Sequence, residues 1–179
     1  MRYCADAIMP SILLRRPASN LTVMASDGHE ALHYNRRMKS QAFFPSPEDC
    51  ARAFYEAFAQ ADVEALMSVW AEDEEICCVH PAAAPLYGFA AVRAAWEAIF
   101  RNSAKMRIEL RDESWHSTIG MVTQHAVEWI YVGEEAQPRG PVFMTNIFLR
   151  APQGWRLLVH HASPLQTGLP ANAGQVVLH

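Results

Sequence analysis

Between residues 105 and 163 the chain settles into one rhythm. "KMRIELRDESWHS", "MVTQHAVEWIYV", "PVFMTNIFLRA" and "GWRLLVHHAS" read as four long strands. Ile-Gly, "GEEAQPRG" and "PQG" separate them and supply hairpin punctuation. Strands this long joined by turns this short form an antiparallel meander, because a parallel return needs a much longer crossover. Such a sheet has one face to bury, and the cover has to come from upstream.

Three helical patterns stand there. In "SPEDCARAFYEAFAQAD" Ser46 suits an N-cap, Pro47 the first helical position, and Asp49 completes a capping-box-like pair. Cys50, Phe54, Ala57, Phe58 and Ala61 follow one stripe. Asp62 caps a second short helix in which Leu66, Val69 and Trp70 share a face, and "AEDEE" closes it as a solvated end. After a short strand at 76–79 and a small-residue loop, "FAAVRAAWEAIFRN" forms a third helix with Val92, Trp96, Ile99 and Phe100 inward. Helices first and a meander after them make an α+β fold.

Composition excludes several classes. At 179 residues with 51% hydrophobic and 19% charged residues, the chain suits one compact domain with ragged ends. No apolar run approaches the roughly 18 residues of a membrane helix. The formal charge of −4 argues against nucleic acid, since the compact part holds sixteen acidic against nine basic side chains. Four cysteines (Cys4, Cys50, Cys77, Cys78) form neither a disulfide framework nor a CxxC pair, which points to a reducing cytoplasm. Residues 1–44 are expected to be a disordered or mis-annotated extension, with a transit peptide as the other option and Met24 and Met38 as alternative starts. Residues 45–164 are expected to be the domain, and 165–179 a loose tail.

Chemistry has few places to sit. The strand "ICCV" ends in His80 followed by a proline, either a reactive imidazole at the lip of a pocket or a satisfied core histidine. Strand parity places Met144, Asn146 and Phe148 on one face, so a buried Asn146 needs a backbone, dimer or ligand partner. The same parity puts Trp155, Leu157, Val159 and His161 opposite Arg156, Leu158, His160 and Ala162. His160 and His161 therefore face opposite ways. Nucleotide fingerprints and a GxSxG elbow are absent, and no HxH or HExxH pair supports a metal held by His80 and His160. No metal and no cofactor is expected.

"AFYEAFAQADVEALMSVWAEDEE", "CVHPAAAPLYGFAAVRAAWEAIF" and "MTNIFLRAPQGWRLLVHHAS", with the strand pair between them, resemble the nuclear-transport-factor-2-like superfamily in its SnoaL-like, ketosteroid-isomerase-like branch. The resemblance spans about residues 46–164. It implies a cone-shaped curved antiparallel sheet wrapped by three N-terminal helices, with an apolar pocket between the layers. In ketosteroid isomerases an aspartate before a proline is the proton-shuttling base, and "V-H-P" puts His80 in its place. The oxyanion-donating aspartate falls on Asn146, whose amide can donate. The isomerase tyrosine aligns with Phe54, and Tyr55, about 100° further round the helix, is expected to point elsewhere.

The closing strand also resembles the calcium/calmodulin-dependent kinase association domain. There the residue aligned with Ala162 points into the pocket, which by parity takes His160 inward too. The expected site is thus His80, Asn146 and His160 as catalytic groups, with Phe54, Trp70, Tyr87, Trp96 and Met144 as pocket wall. The expected function is binding of a small apolar or carbonyl-containing ligand, either with proton transfer as an isomerase or lyase or as a non-catalytic binding or dimerisation module. The expected partner is a second copy through the outer sheet face around Trp155, with no nucleic acid and no membrane.

Overall fold

The computed structural model describes residues 42–165; the expected N-terminal extension and C-terminal tail lie outside them, apart from their innermost residues. Within that span the order is α1 (Pro47–Gln60), α2 (Val63–Ser68), β1 (Cys77–Val79), β2 (Leu86–Tyr87), α3 (Phe89–Asn102), β3 (Met106–Thr118), β4 (Met121–Val132), β5 (Arg139–Ala151) and β6 (Gly154–Pro164). The caps work as the sequence indicates. Ser46 Oγ accepts from Asp49 N at 3.0 Å, and Asp62 Oδ1 accepts from Ala65 N at 2.9 Å.

One curved sheet in the order β2-β1-β6-β5-β4-β3 carries the fold. The meander β3 to β6 is antiparallel throughout, whereas β1 runs parallel to β6 (Cys77 beside Val159, Cys78 beside His160, Val79 beside His161). The expected small-residue loop after His80 folds back as β2, a two-residue edge strand on β1. Irregularities between Arg111 and Ser114, between Glu128 and Ile130, and opposite Ile147/Phe148 interrupt the ladders, the usual way a sheet is bent and its twist increased.

The last of these alters the parity read from sequence. Ile147 pairs with Val159 and Phe148 with Leu157, so β6 holds one extra residue, Leu158. Beyond it the alternation is reset. Leu157 turns to the core together with His160 and Ala162, at 0%, 3% and 2% exposure, instead of facing away from them.

The helices cover this inner face. Phe54 and Phe58 of α1, Leu66 and Val69 around α2, and Val92 and Trp96 of α3 pack with Ile76, Cys78, Phe148 and Leu157 in a single buried cluster. Each such side chain contributes about 1.5–3 kcal/mol relative to exposure. The chain after α2 is tied to β6 directly, with Leu157 N donating to Val69 O at 2.8 Å and Ala71 N to Leu157 O at 2.9 Å.

Upstream of α1, Phe44 lies along the start of β6, where Trp155 N donates to Phe44 O at 2.9 Å. Arg156 holds the same segment through Nη2 to Ala42 O at 2.5 Å. Gly154 permits that approach. Its φ is +93°, and a Cβ there would lie 2.5 Å from Phe44 O. Gly154→Ala should therefore destabilise the domain by about 2 kcal/mol or more, read as a lower urea midpoint at unchanged slope.

Candidate functional site

Four neighbouring strands each place a polar residue on the buried face. β6 contributes His160, β5 Asn146, β4 both Gln124 and Glu128, and His80 follows the end of β1; all are at or below 4% exposure. The register explains the gathering, because Asn146 stands opposite His160 on one side and Gln124 on the other. Cross-strand partners share a face and come within side-chain reach.

The contacts are specific. His160 Nδ1 lies 2.7 Å from Asn146 Oδ1, and Asn146 Nδ2 donates to Gln124 Oε1 at 3.0 Å. Gln124 Nε2 then donates to Glu113 Oε2 at 3.0 Å, and Trp115 Nε1 donates to Glu113 Oε1 at 2.8 Å. Tyr55 Oη donates to Glu128 Oε1 at 2.9 Å. Tyr55 thus reaches this cluster, contrary to the expectation that it points elsewhere. The 100° rotation along α1 is correct, but the curved sheet meets the helix on more than one side. Phe54 packs against the His160 ring at 5.1 Å between centroids while Tyr55 bonds β4.

Trp96 connects the two histidines. Its ring stands edge-on to His80 at 4.6 Å and tilted to His160 at 6.4 Å between centroids. His80 Nε2 lies 3.6 Å from Cys78 Sγ, a weak partner. Among the described residues two buried side-chain donors lack a hydrogen-bond partner, Trp70 Nε1 and Trp96 Nε1.

Burial sets the charge states. Desolvation lowers the His80 pKa to about 4 and the His160 pKa to about 3, the latter helped by the nearby His80 and His161. It raises Glu128 to about 7, against the lowering effect of the Tyr55 hydrogen bond. Both imidazoles are therefore neutral at pH 7, and Glu128 sits near half-protonation.

The structure brings together His80, Asn146, His160, Phe54, Trp96 and Met144, which pairs with Ala162 beside them. Trp70 is buried at 1% but pairs with Leu157 near the Phe148 end of β6. Tyr87 belongs elsewhere. It pairs with Cys77, on the face opposite Cys78 and His160, and is 65% exposed. Its two-residue strand lies in a small-residue stretch with the composition of a loop, so its parity is not available from sequence. Glu128, Gln124 and Glu113 are additions. The parity of "MVTQHAVEWIYV" carries the signal for two of them, since Gln124 and Glu128 alternate with His125 and Val127. Glu113 falls in the irregular stretch of β3, where parity fails. Among the described residues no group of three or more His, Cys, Asp or Glu side chains is arranged to hold a metal ion, and no helix is long and apolar enough to cross a membrane.

The SnoaL-like domain family model matches residues 48–167. This chain belongs to that family. A structure from Thiobacillus denitrificans, provisionally named a calcium/calmodulin-dependent protein kinase type II association domain, is 38% identical at a TM-score of 0.67, covering 70% of this chain and 99% of that one. A provisionally named dehydratase of the NTF2-like family from Streptomyces avermitilis is 30% identical at a TM-score of 0.61, covering 66% and 92%. A protein of unknown function with a cystatin-like fold from Nostoc punctiforme, 13% identical at a TM-score of 0.57, covers 65% and 86% and shares the fold. No curated protein matches. The chain is thus a SnoaL-like domain of the NTF2-like superfamily, and its curved α+β sheet is that superfamily's architecture.

The buried groups give the domain a defined pH response. A carboxyl held above its unfolded pKa favours folding most below pH 4.5, and that contribution is lost as pH rises to about 7. The two imidazoles act oppositely, contributing fully above about pH 6.5 and failing as pH falls toward 4 and 3. Glu128→Gln keeps an acceptor for Tyr55 and removes the first effect. Its stability relative to wild type should rise between pH 4.5 and 7 by on the order of 3 kcal/mol and then level off, as followed by urea unfolding across pH.

Proposed function

We propose that this SnoaL-like domain binds a small, largely apolar molecule bearing a carbonyl on its helix-covered face and moves a proton on it, as an isomerase or lyase, with His80 as proton acceptor. The observation that carries this reading is the position of His80, neutral and buried, against Trp96, whose indole Nε1–H is itself buried without a partner. A protonated imidazole is penalised there unless a negative charge develops nearby at the same time, as on an enolising ligand. The Trp96 Nε1–H is the donor that can meet the ligand oxygen. Asn146, expected to donate to that oxygen, instead spends its amide on Gln124 and His160, and so acts by holding His160. The imidazolium then returns the same proton to another carbon of the ligand, so His80 ends neutral as it began.

A second reading has its own support. The 38% likeness to a provisionally named kinase association domain favours a non-catalytic binding and assembly module of the same fold. The outer sheet face agrees with assembly as a homodimer, because the register aligns Cys77, Val159, Ile147 and Thr123 in one row, with Phe143, 40% exposed, in another. Ile147→Asp should then turn a dimer into a monomer in sedimentation velocity, with secondary structure unchanged by circular dichroism.

The full chain and His80→Ala, screened by thermal shift against steroids, small enones, aromatic polyketide-like ketones and short carboxylates, separate the two readings. Proton transfer predicts that an enone or ketone raises the melting temperature of both, and that exchange or isomerisation of that compound, followed by NMR, is lost only in His80→Ala. Equal binding without turnover in either protein leaves the binding module.

A further inference from the structure

The hydrogen bonds around Asn146 have a direction that one residue decides. An indole N–H and an amide NH2 only donate, and carboxylate oxygens only accept. Trp115 Nε1 occupies Glu113 Oε1 and Gln124 occupies Glu113 Oε2. Turning the Gln124 amide round would set its oxygen against a carboxylate oxygen, so its NH2 faces Glu113 and its Oε1 faces Asn146. The Asn146 NH2 must then donate to Gln124, which leaves Asn146 Oδ1 to face His160. Across 2.7 Å an amide oxygen can only accept, so His160 Nδ1 carries the hydrogen. A buried neutral imidazole has one N–H, and Nε2 is left as the lone pair.

We propose that Glu113, through Gln124 and Asn146, is a positioning residue that locks His160 as the Nδ1–H tautomer, and that His160 Nε2 is the site's hydrogen-bond acceptor for a ligand hydroxyl or enol. The tautomer follows from the geometry alone; the ligand class rests on the small-molecule reading above. It narrows that ligand to one carrying a donor as well as a carbonyl, the donor for His160 Nε2 and the carbonyl for Trp96 Nε1.

Glu113 is exposed, so replacing it tests the relay without opening the core. In Glu113→Gln the new side chain must still accept from Trp115 with its oxygen. That leaves an NH2 toward Gln124, which reverses every link and favours hydrogen on Nε2. Long-range proton–nitrogen NMR of the full chain labelled in histidine, with His160 assigned by the loss of its signals in His160→Gln, reads the tautomer directly. The expected result is a protonated Nδ1 and unprotonated Nε2 in wild type, with the Nε2–H form populated in Glu113→Gln. A wild-type Nε2–H form, or a tautomer unmoved by Glu113→Gln, overturns the relay.

For the ligand class, 2-naphthol and 2-methoxynaphthalene are compared by calorimetry. Wild type should bind the hydroxyl compound about tenfold more tightly, and Glu113→Gln should erase the difference. Equal binding of the two by wild type overturns the donor requirement. Binding of neither overturns it together with the small-molecule reading, while the NMR result decides the tautomer independently.

Discussion

Strand β6 is the constraint on which the rest of this domain depends. It is paired on both sides, antiparallel to β5 and parallel to β1, and its start and middle also receive Phe44 and the chain after α2. One extra residue, Leu158, resets its alternation, so Leu157 can join the apolar cluster while His160 joins the polar one. Without that bulge the two could not both face the helices. The apolar core around Phe148 and the polar cluster around Asn146 are thus separated along one strand by a single backbone irregularity.

The polar cluster runs against the stability of the domain and is held by mutual satisfaction. A buried amide or imidazole without a partner costs about 1–3 kcal/mol. Asn146, at 0% exposure, avoids this by bonding two neighbours at once. Its links reach the surface through Gln124 and Glu113 on one side and the buried His160 on the other. Networks of this kind fix one arrangement because a change at any member strands the next. His80 is held less tightly, with a sulfur at 3.6 Å as its polar contact and an aromatic edge beside it. A group with so little satisfaction inside a well-bonded surround is free to serve a ligand.

The helices and the meander were legible from sequence because their signals are local. Ser46 and Asp62 cap helices by contacts three residues away, and the long alternating runs matched β3 to β6 to within two residues at each end. His80, Asn146 and His160 were legible as polar residues on apolar faces. Tyr87 and Tyr55 were misplaced for one reason: a side chain's surroundings depend on which element arrives opposite it. Tyr87 fell on an unforeseen two-residue strand, and Tyr55 on a helix flank that the bent sheet reaches.

By itself, then, the sequence determined the order of elements, the antiparallel meander and the face each polar residue would take within an unbroken strand, because hydrophobic periodicity and capping act over a few residues. The tertiary structure alone decided the parallel docking of β1 on β6, the reset at Leu158, and the convergence of Glu113, Gln124, Asn146 and His160 into one chain of hydrogen bonds. Those features depend on register between distant segments. Register is fixed only when a whole sheet bends to bury one face, and no window of a few residues contains that information.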